Sequence, residues 1–447
     1  MDKQILVTGA TGYIASRLVP RLLDAGYRVR CLARDPRRLA GRGWSRSVEV
    51  VQGVVTIPST LHPALQGVQT AYYLIHNMTK GHGYTELELE SARTFAMAAA
   101  EAGVEHIIYL GGLADPEQHI APHMRSRIET GRVLREGRVP VTEFRAGVIA
   151  GSGSISFEMI RFMTELFPVV PGPLWMRNKS QPIAMQNVID YLIAALTNPS
   201  GRGGVFEIGG PDVTTYGELM LRYARLRGLK RSMFLVPGIP IWLMAFGVGL
   251  MTPVPYPIAY ALIGGLSADS VVKHPDALQR FPEVKLVDFD SATKDALEKT
   301  HPASIERVWE DGKDFGSLSV SSQTSEVWRA LKHEGCFVEY RKVQVNAAPE
   351  RVSGVLKQFV YESGKLTGVD NSEETLIVHV QDQWAGEKWI EWQISRAGNQ
   401  TLLFQTVFFC PRGLPGFLYW YLLYPFHWLR FRGLIRKIAK QSEKNEA

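Results

Sequence analysis

Residues 4 to 26 constrain this chain more than any other stretch. Gln4-Ile5-Leu6-Val7 is a short apolar run of the kind that forms a buried strand. Thr8-Gly9-Ala10-Thr11-Gly12-Tyr13-Ile14-Ala15 follows at once, and Leu18, Leu22 and Leu23 then recur at helical spacing up to Gly26. Strand, glycine turn and helix in this order form a dinucleotide site, because a diphosphate needs backbone N–H groups at the positive end of a helix dipole. Gly9 permits the tight turn, Gly12 lets backbone approach the phosphates, and the small Ala15 lets the helix pack on the strand. Thr11, Tyr13 and Ile14 complete the predicted cradle.

At 447 residues the chain is long enough for two or three domains. Hydrophobic residues at 45% and charged residues at 21% fit a globular protein. A net charge of +6, with no basic stripe interleaved with aromatics in the N-terminal part, argues against nucleic acid as a partner. Cys31, Cys336 and Cys410 are odd in number and far apart, with no metal-ligating spacing. They read as reduced thiols in a cytoplasm-like compartment, and no metal is expected. A first strand at residue 4 leaves no room for a signal peptide. From Met233 to Leu266 no charged side chain occurs, yet five prolines interrupt the stretch. Its unbroken part, Ile241 to Thr252, falls short of the ~20 residues a membrane helix needs, so it reads as buried or substrate-facing.

The spacing Gly-x-x-Gly-x-x-Ala resembles the extended and atypical short-chain dehydrogenases/reductases. Further strands are expected at Tyr27–Ala33, Val48–Val51, Thr70–Ile75, Glu105–Leu110, Val141–Ala146 and Val205–Gly210. Arg34 ends the second strand and Arg38 follows, where an arginine receives the 2′-phosphate of NADP(H) and an acid would hold the ribose of NAD(H). NADP(H) is therefore favoured, with Asp35 keeping NAD(H) open. After the third strand the resemblance leads one to expect Gly-Asp-hydrophobic, and the chain has Gly53-Val54-Val55. Leu74, Ile75 and His76 close the fourth strand at the sheet's switch point, facing the cofactor. His76 either touches ribose or substrate or caps the strand.

Catalytic members of the superfamily carry a Ser or Thr after the fifth strand and a Tyr-x-x-x-Lys on the next helix. Here Gly111 and Gly112 stand at the strand end, where they are expected under the nicotinamide that delivers hydride, and the helix offers His123-Met124-Arg125-Ser126-Arg127. His123 and Arg127 keep the i, i+4 spacing that shares a helix face. Two alternatives follow. Either Arg127 binds the ribose and His123 transfers the proton, or the pair is structural. The turn at Gly147 belongs beside the nicotinamide by the same resemblance.

Tyr73-Leu74-Ile75-His76, Tyr109–Leu113, His123–Arg127 and Phe206–Asp212 together resemble the NmrA-like, atypical reductases that carry a C-terminal domain of unknown function. The resemblance implies an α/β fold: a Rossmann-type doubly wound parallel sheet with a small substrate lobe in residues 1–300. Residues 301–335 read as a linker, with its Ser-rich part at Gly312–Ser325. Residues 336–447 resemble a polyketide-cyclase-like α+β helix-grip domain, with Ile390–Ile394 and Thr401–Phe409 alternating as antiparallel strands. The tail from Gly413 to Lys440 is rich in aromatics and cations. It is either the long helix of that fold or an interfacial helix giving peripheral membrane contact. The expected function is an NADP(H)-binding oxidoreductase acting on a hydrophobic carbonyl, enone or quinone. The alternative is a redox sensor or structural module that holds NADP(H) without turnover and acts through a partner.

Overall fold

The structure is a computed structural model that describes residues 3–39, 42–76, 84–118, 120–251, 254, 256–298, 331–333, 336–362, 366–371, 375–380, 385–397 and 400–444. The Ser-rich stretch Gly312–Ser325 lies outside them.

Six parallel strands, β1 (Gln4–Val7), β2 (Arg28–Ala33), β3 (Glu49–Gln52), β4 (Val68–Tyr73), β5 (His106–Gly112) and β6 (Val141–Ala146), are joined by a seventh at Val205–Ile208. Their spatial order is Val205–Ile208, β6, β5, β4, β1, β2, β3, every pair parallel. This is the Rossmann-type doubly wound sheet, and its order reverses between β1 and β4, where α/β sheets bind ligands. β1 and β5 are buried along their whole length because helices cover both faces, which is why they read as continuous apolar runs. β4 ends at Tyr73, so Leu74, Ile75 and His76 lie beyond the last pairing, on the connection that leaves the sheet.

Helix α1 (Tyr13–Asp24) buries Ala15, Leu18, Val19 and Leu22 on one stripe against the sheet. The substrate lobe is built from helices Ile155–Leu166, Tyr216–Arg227, Ile241–Met251 and Tyr256–Gly265. A parallel strand pair, Val169–Pro173 with Ser232–Val236, ties it together.

The C-terminal domain is an antiparallel sheet of six strands in the order Leu331–His333, Cys336–Val345, Gln400–Pro411, Gly386–Ala397, Thr375–Val380, Leu366–Asn371. Leu331–His333 pairs with Cys336–Val345, so the domain begins inside the stretch expected to be linker. Helices Pro349–Glu362 and Tyr424–Glu443 close one face through Val352, Leu356, Phe431, Ile435 and Ile438. The tail is therefore two helices, Gly413–Leu422 and Tyr424–Glu443, and its C-terminal half grips the sheet. One expectation fails. Cys410 is disulfide-bonded, whereas Cys31 is free and buried.

Candidate functional site

A cleft of about 820 Å³ opens at the switch point and runs from the glycine turn into the substrate lobe. Its floor begins with Gly9, Thr11, Gly12, Tyr13 and Ile14. Gly9 has φ +64°, and a Cβ there would stand 2.5 Å from the Leu74 carbonyl oxygen, so both conformation and space demand glycine. The Gly12 N–H donates to the Gly9 carbonyl at 2.8 Å and closes the turn. Gly12 then caps α1 with no side-chain cap and no acid in the first turn, leaving the helix's positive end facing the cleft. The Tyr13 hydroxyl and Arg17 Nη2 donate to the Ser152 carbonyl at 2.9 and 2.8 Å, pinning the turn to the far wall.

At one end Leu32, Ala33, Arg34, Arg38, Gly53, Val54, Val55 and Thr56 line the cleft. Arg34 is exposed and Arg38 half-buried. No carboxylate stands among these wall residues, so the departure at Val54 leaves an apolar pocket with arginines at its edge. Arg42, which sequence spacing did not single out, donates from Nη2 to the Thr11 carbonyl at 3.1 Å and lies over the Trp44 ring.

Leu74, Ile75, His76, His123, Arg127 and Gly147 meet in the middle of the cleft. Gly111 and Gly112 do not line it; Leu110, Leu113 and Ala114 do. Both glycines are packed inside: a Cβ on Gly112 would come within 2.7 Å of Met124 and 3.1 Å of Arg127 Cδ, so Gly112 makes room for the Arg127 stem. The Tyr109 hydroxyl donates to the Arg127 carbonyl at 2.9 Å, and Arg127 Nε is buried with no hydrogen-bond partner. A buried, unsatisfied guanidinium nitrogen on a cleft wall is an acceptor's place.

His123 is buried against Gly265, and its Nδ1 also lacks a partner. Burial first, and then the Arg127 charge, push its pKa down to about 3. The same two causes hold His76 well below its ordinary value. Both imidazoles are therefore neutral near pH 7. In the neutral form His123 offers a hydrogen bond through its unpartnered Nδ1.

His106, in the sheet and bonded to Thr142 Oγ1 at 2.8 Å, is also lowered, to about 4, chiefly by burial. A base whose folded pKa lies below its unfolded value of 6.5 stabilises the fold above 6.5 and loses that contribution as pH falls toward 4. The unfolding free energy read from urea titrations is expected to drop on acidification, by roughly 2–4 kcal/mol between about pH 7 and 5 for His106 and His123 together. The double variant His106→Gln/His123→Gln should flatten that slope. A wild-type slope unchanged in the variant would contradict the burial of these rings.

Much of the remaining lining is apolar, with Tyr216, Asp269 and Ser270 among it. Met124, Met159, Met163, Met176, Met220 and Met244 line the cleft, six of the chain's 12 methionines, with Val248, Ile258, Leu262 and Leu266. Thioether side chains adapt to irregular apolar and aromatic shapes. The Met233–Leu266 stretch faces the cleft through Met244, Val248, Ile258 and Leu262.

The profile described as the NmrA-like family matches residues 1–204, and one described as a protein of unknown function (DUF2867) matches residues 346–434. A Streptomyces griseus protein named (4-alkanoyl-5-oxo-2,5-dihydrofuran-3-yl)methyl phosphate reductase is 31% identical over 269 residues, 58% of this chain and 84% of its own. The chain belongs to the NmrA-like family. A Photosystem II assembly factor, Ycf39 of Cyanophora paradoxa, is 26% identical over 52% of this chain and 71% of its own. Among solved structures, Citrobacter sp. triphenylmethane reductase complexed with NADP(H) superposes with a TM-score of 0.53 at 21% identity, covering 65% of this chain and 99% of that one. At that identity the likeness speaks for the Rossmann-type fold alone.

Proposed function

We propose that this protein is an NADP(H)-dependent reductase of an apolar carbonyl, enone or quinone. The observation that carries this reading is one continuous cleft joining a bare glycine-turn helix terminus to a methionine-lined chamber, with Arg127 between them. Gly9–Ile14 would hold the diphosphate, Arg34 and Arg38 a 2′-phosphate, and Leu74, Ile75, His76, Arg127 and Gly147 the nicotinamide half. The fit rests on the space that only glycine leaves at residue 9 and on the unsatisfied Arg127 Nε. The nicotinamide, when bound, supplies hydride. Arg127, whose Nε is buried on the cleft wall without a partner, stabilises charge growing on the acceptor oxygen. His123 orients that oxygen by a hydrogen bond, the methionine wall excludes bulk water around the acceptor, and the remaining proton comes from solvent at the cleft mouth. The reductase relative from Streptomyces supports the reaction class.

A second reading, a nicotinamide-bound sensor or structural module acting through a protein partner, is favoured by one observation: neutral His123 is no substitute for the missing Tyr-x-x-x-Lys acid. The assembly-factor relative fits it. Single-turnover absorbance decides between them. The protein is loaded with NADPH or NADH, freed of excess, and mixed with quinones and hydrophobic enones. Loss of the reduced-nicotinamide signal is expected with NADPH and one acceptor class, slowed about a hundredfold in Arg127→Met. A cofactor that stays reduced with every acceptor removes the reductase reading.

A further inference from the structure

The helices whose inner faces wall the apolar chamber have bare outer faces. On Ile241–Met251 and Tyr256–Gly265, Trp242 and Phe246 are each 57% exposed, and Leu243, Tyr256 and Tyr260 are exposed beside them. A second bare face lies on the tail, where Leu422 is 70%, Phe426 69% and Leu429 59% exposed, with Leu418 and Tyr421. Isolated exposed apolar residues are ordinary, but clusters of large ones mark a contact surface.

The two faces flank one helix. Ile155, Met159 and Met163 of Ile155–Leu166 pack with the Ile241–Gly265 helices, and Phe162 and Leu166 of the same helix pack with Phe417 and Trp420 of the tail. The charge pattern selects what covers them. No Asp, Glu, Lys, Arg or His occurs from Met233 to Ser267, and no Asp or Glu from Trp392 to Ser442. That second stretch holds exposed Arg412, Arg430, Arg436, Lys437 and Lys440, with Arg432 over the Trp428 ring. Aromatic and aliphatic side chains with cations beside them and no acid match the interface of an anionic bilayer. Among the described residues no helix is long and apolar enough to cross a membrane, so the contact is with its surface.

We propose that these two faces dock the protein on an anionic membrane, and that its substrate is a bilayer-resident apolar molecule entering the chamber beside Ile241–Met251. The substrate half rests on the reductase reading; the docking half stands without it.

The full-length chain is floated with phosphatidylcholine vesicles, with and without phosphatidylglycerol. Flotation with the anionic vesicles is expected, weakened about tenfold by high salt, by Trp242→Ser/Phe246→Ser and separately by Leu422→Ser/Phe426→Ser. Circular dichroism checks that each variant is folded. Two independent pairs keep the test decisive if one pair misfolds. A chain that stays with neither vesicle, or folded variants that float like wild type, would overturn docking. So would light scattering that shows a dimer abolished by Trp242→Ser/Phe246→Ser, which gives the face to a second copy. Flotation needs no turnover. Docking without turnover of any acceptor would leave the surface and remove the reductase reading; turnover of a water-soluble quinone without docking would do the reverse.

Discussion

Gly9→Ala lowers NADPH affinity by about a hundredfold or more, the expected result if the first turn is the phosphate cradle. Two costs coincide at this residue. A left-handed φ of +64° is unfavourable for any side chain, by about 1–2 kcal/mol. The added Cβ would also press within 2.5 Å of the Leu74 carbonyl oxygen, a backbone atom that moves only if the end of β4 moves. That movement displaces Leu74 and Ile75, which line the same cleft. The turn and the nicotinamide half are thus disturbed together. Gly26→Ala supplies the control: Gly26 has φ +80° but nothing within 4 Å of its Cβ position, so it takes the conformational cost without the collision. Calorimetric titration with NADPH, with thermal melts of both variants, separates binding from folding. Near wild-type affinity in a folded Gly9→Ala protein would exclude the turn as the diphosphate site.

The glycine turn was legible in the sequence because its chemistry is local: a strand, a turn and a helix within 26 residues place every group the phosphates need. Strand order was legible for a related reason, since parallel strands buried on both faces read as apolar runs with helices between them. The chamber was not. Its methionines are spread from Met124 to Met244 and converge only when four lobe helices fold against the sheet, and no periodicity marks them. Arg42 was missed because its contact is with the backbone carbonyl of Thr11, which carries no side-chain signature. Gly111 and Gly112 were expected under the nicotinamide by their place after β5. Both are packed against side chains, Gly111 against Tyr109 and Glu143 and Gly112 against Met124 and the Arg127 stem, a steric demand that only the packing reveals. His123 was correctly placed on the cleft, but its protonation state depends on burial and on Arg127, which spacing alone does not measure. The disulfide at Cys410 was not legible because no cysteine spacing in the chain marks it.

Glu165 carries the second large effect. It is 1% exposed and lies at the end of the Ile155–Leu166 helix. It accepts from the Tyr223 hydroxyl at 2.8 Å, from Arg227 Nε at 3.0 Å and from the Gly413 N–H at 2.6 Å, so one carboxylate joins the substrate lobe to the C-terminal domain across 248 residues. Arg231 donates to the Thr164 and Glu165 carbonyls at 2.6 and 2.9 Å and seals the same helix end. Removing the carboxylate in Glu165→Ala leaves a guanidinium, a phenol and a backbone N–H without their shared acceptor. Breaking a buried pair from one side costs about 3–5 kcal/mol, whereas removing only the hydroxyl in Tyr223→Phe costs about 1 kcal/mol. The loss has a direction as well as a size. Glu165 sits two residues beyond Met163, which lines the chamber, and three beyond Phe162, which packs edge-on against Phe417 at 6.0 Å. Loosening this corner frees Gly413–Leu422 from the lobe and enlarges the chamber wall. Limited proteolysis of Glu165→Ala should therefore cut between the lobe and the tail before either domain, with the urea midpoint lowered and Tyr223→Phe close to wild type. Equal midpoints for Glu165→Ala and Tyr223→Phe would show that the carboxylate does not hold the two domains together.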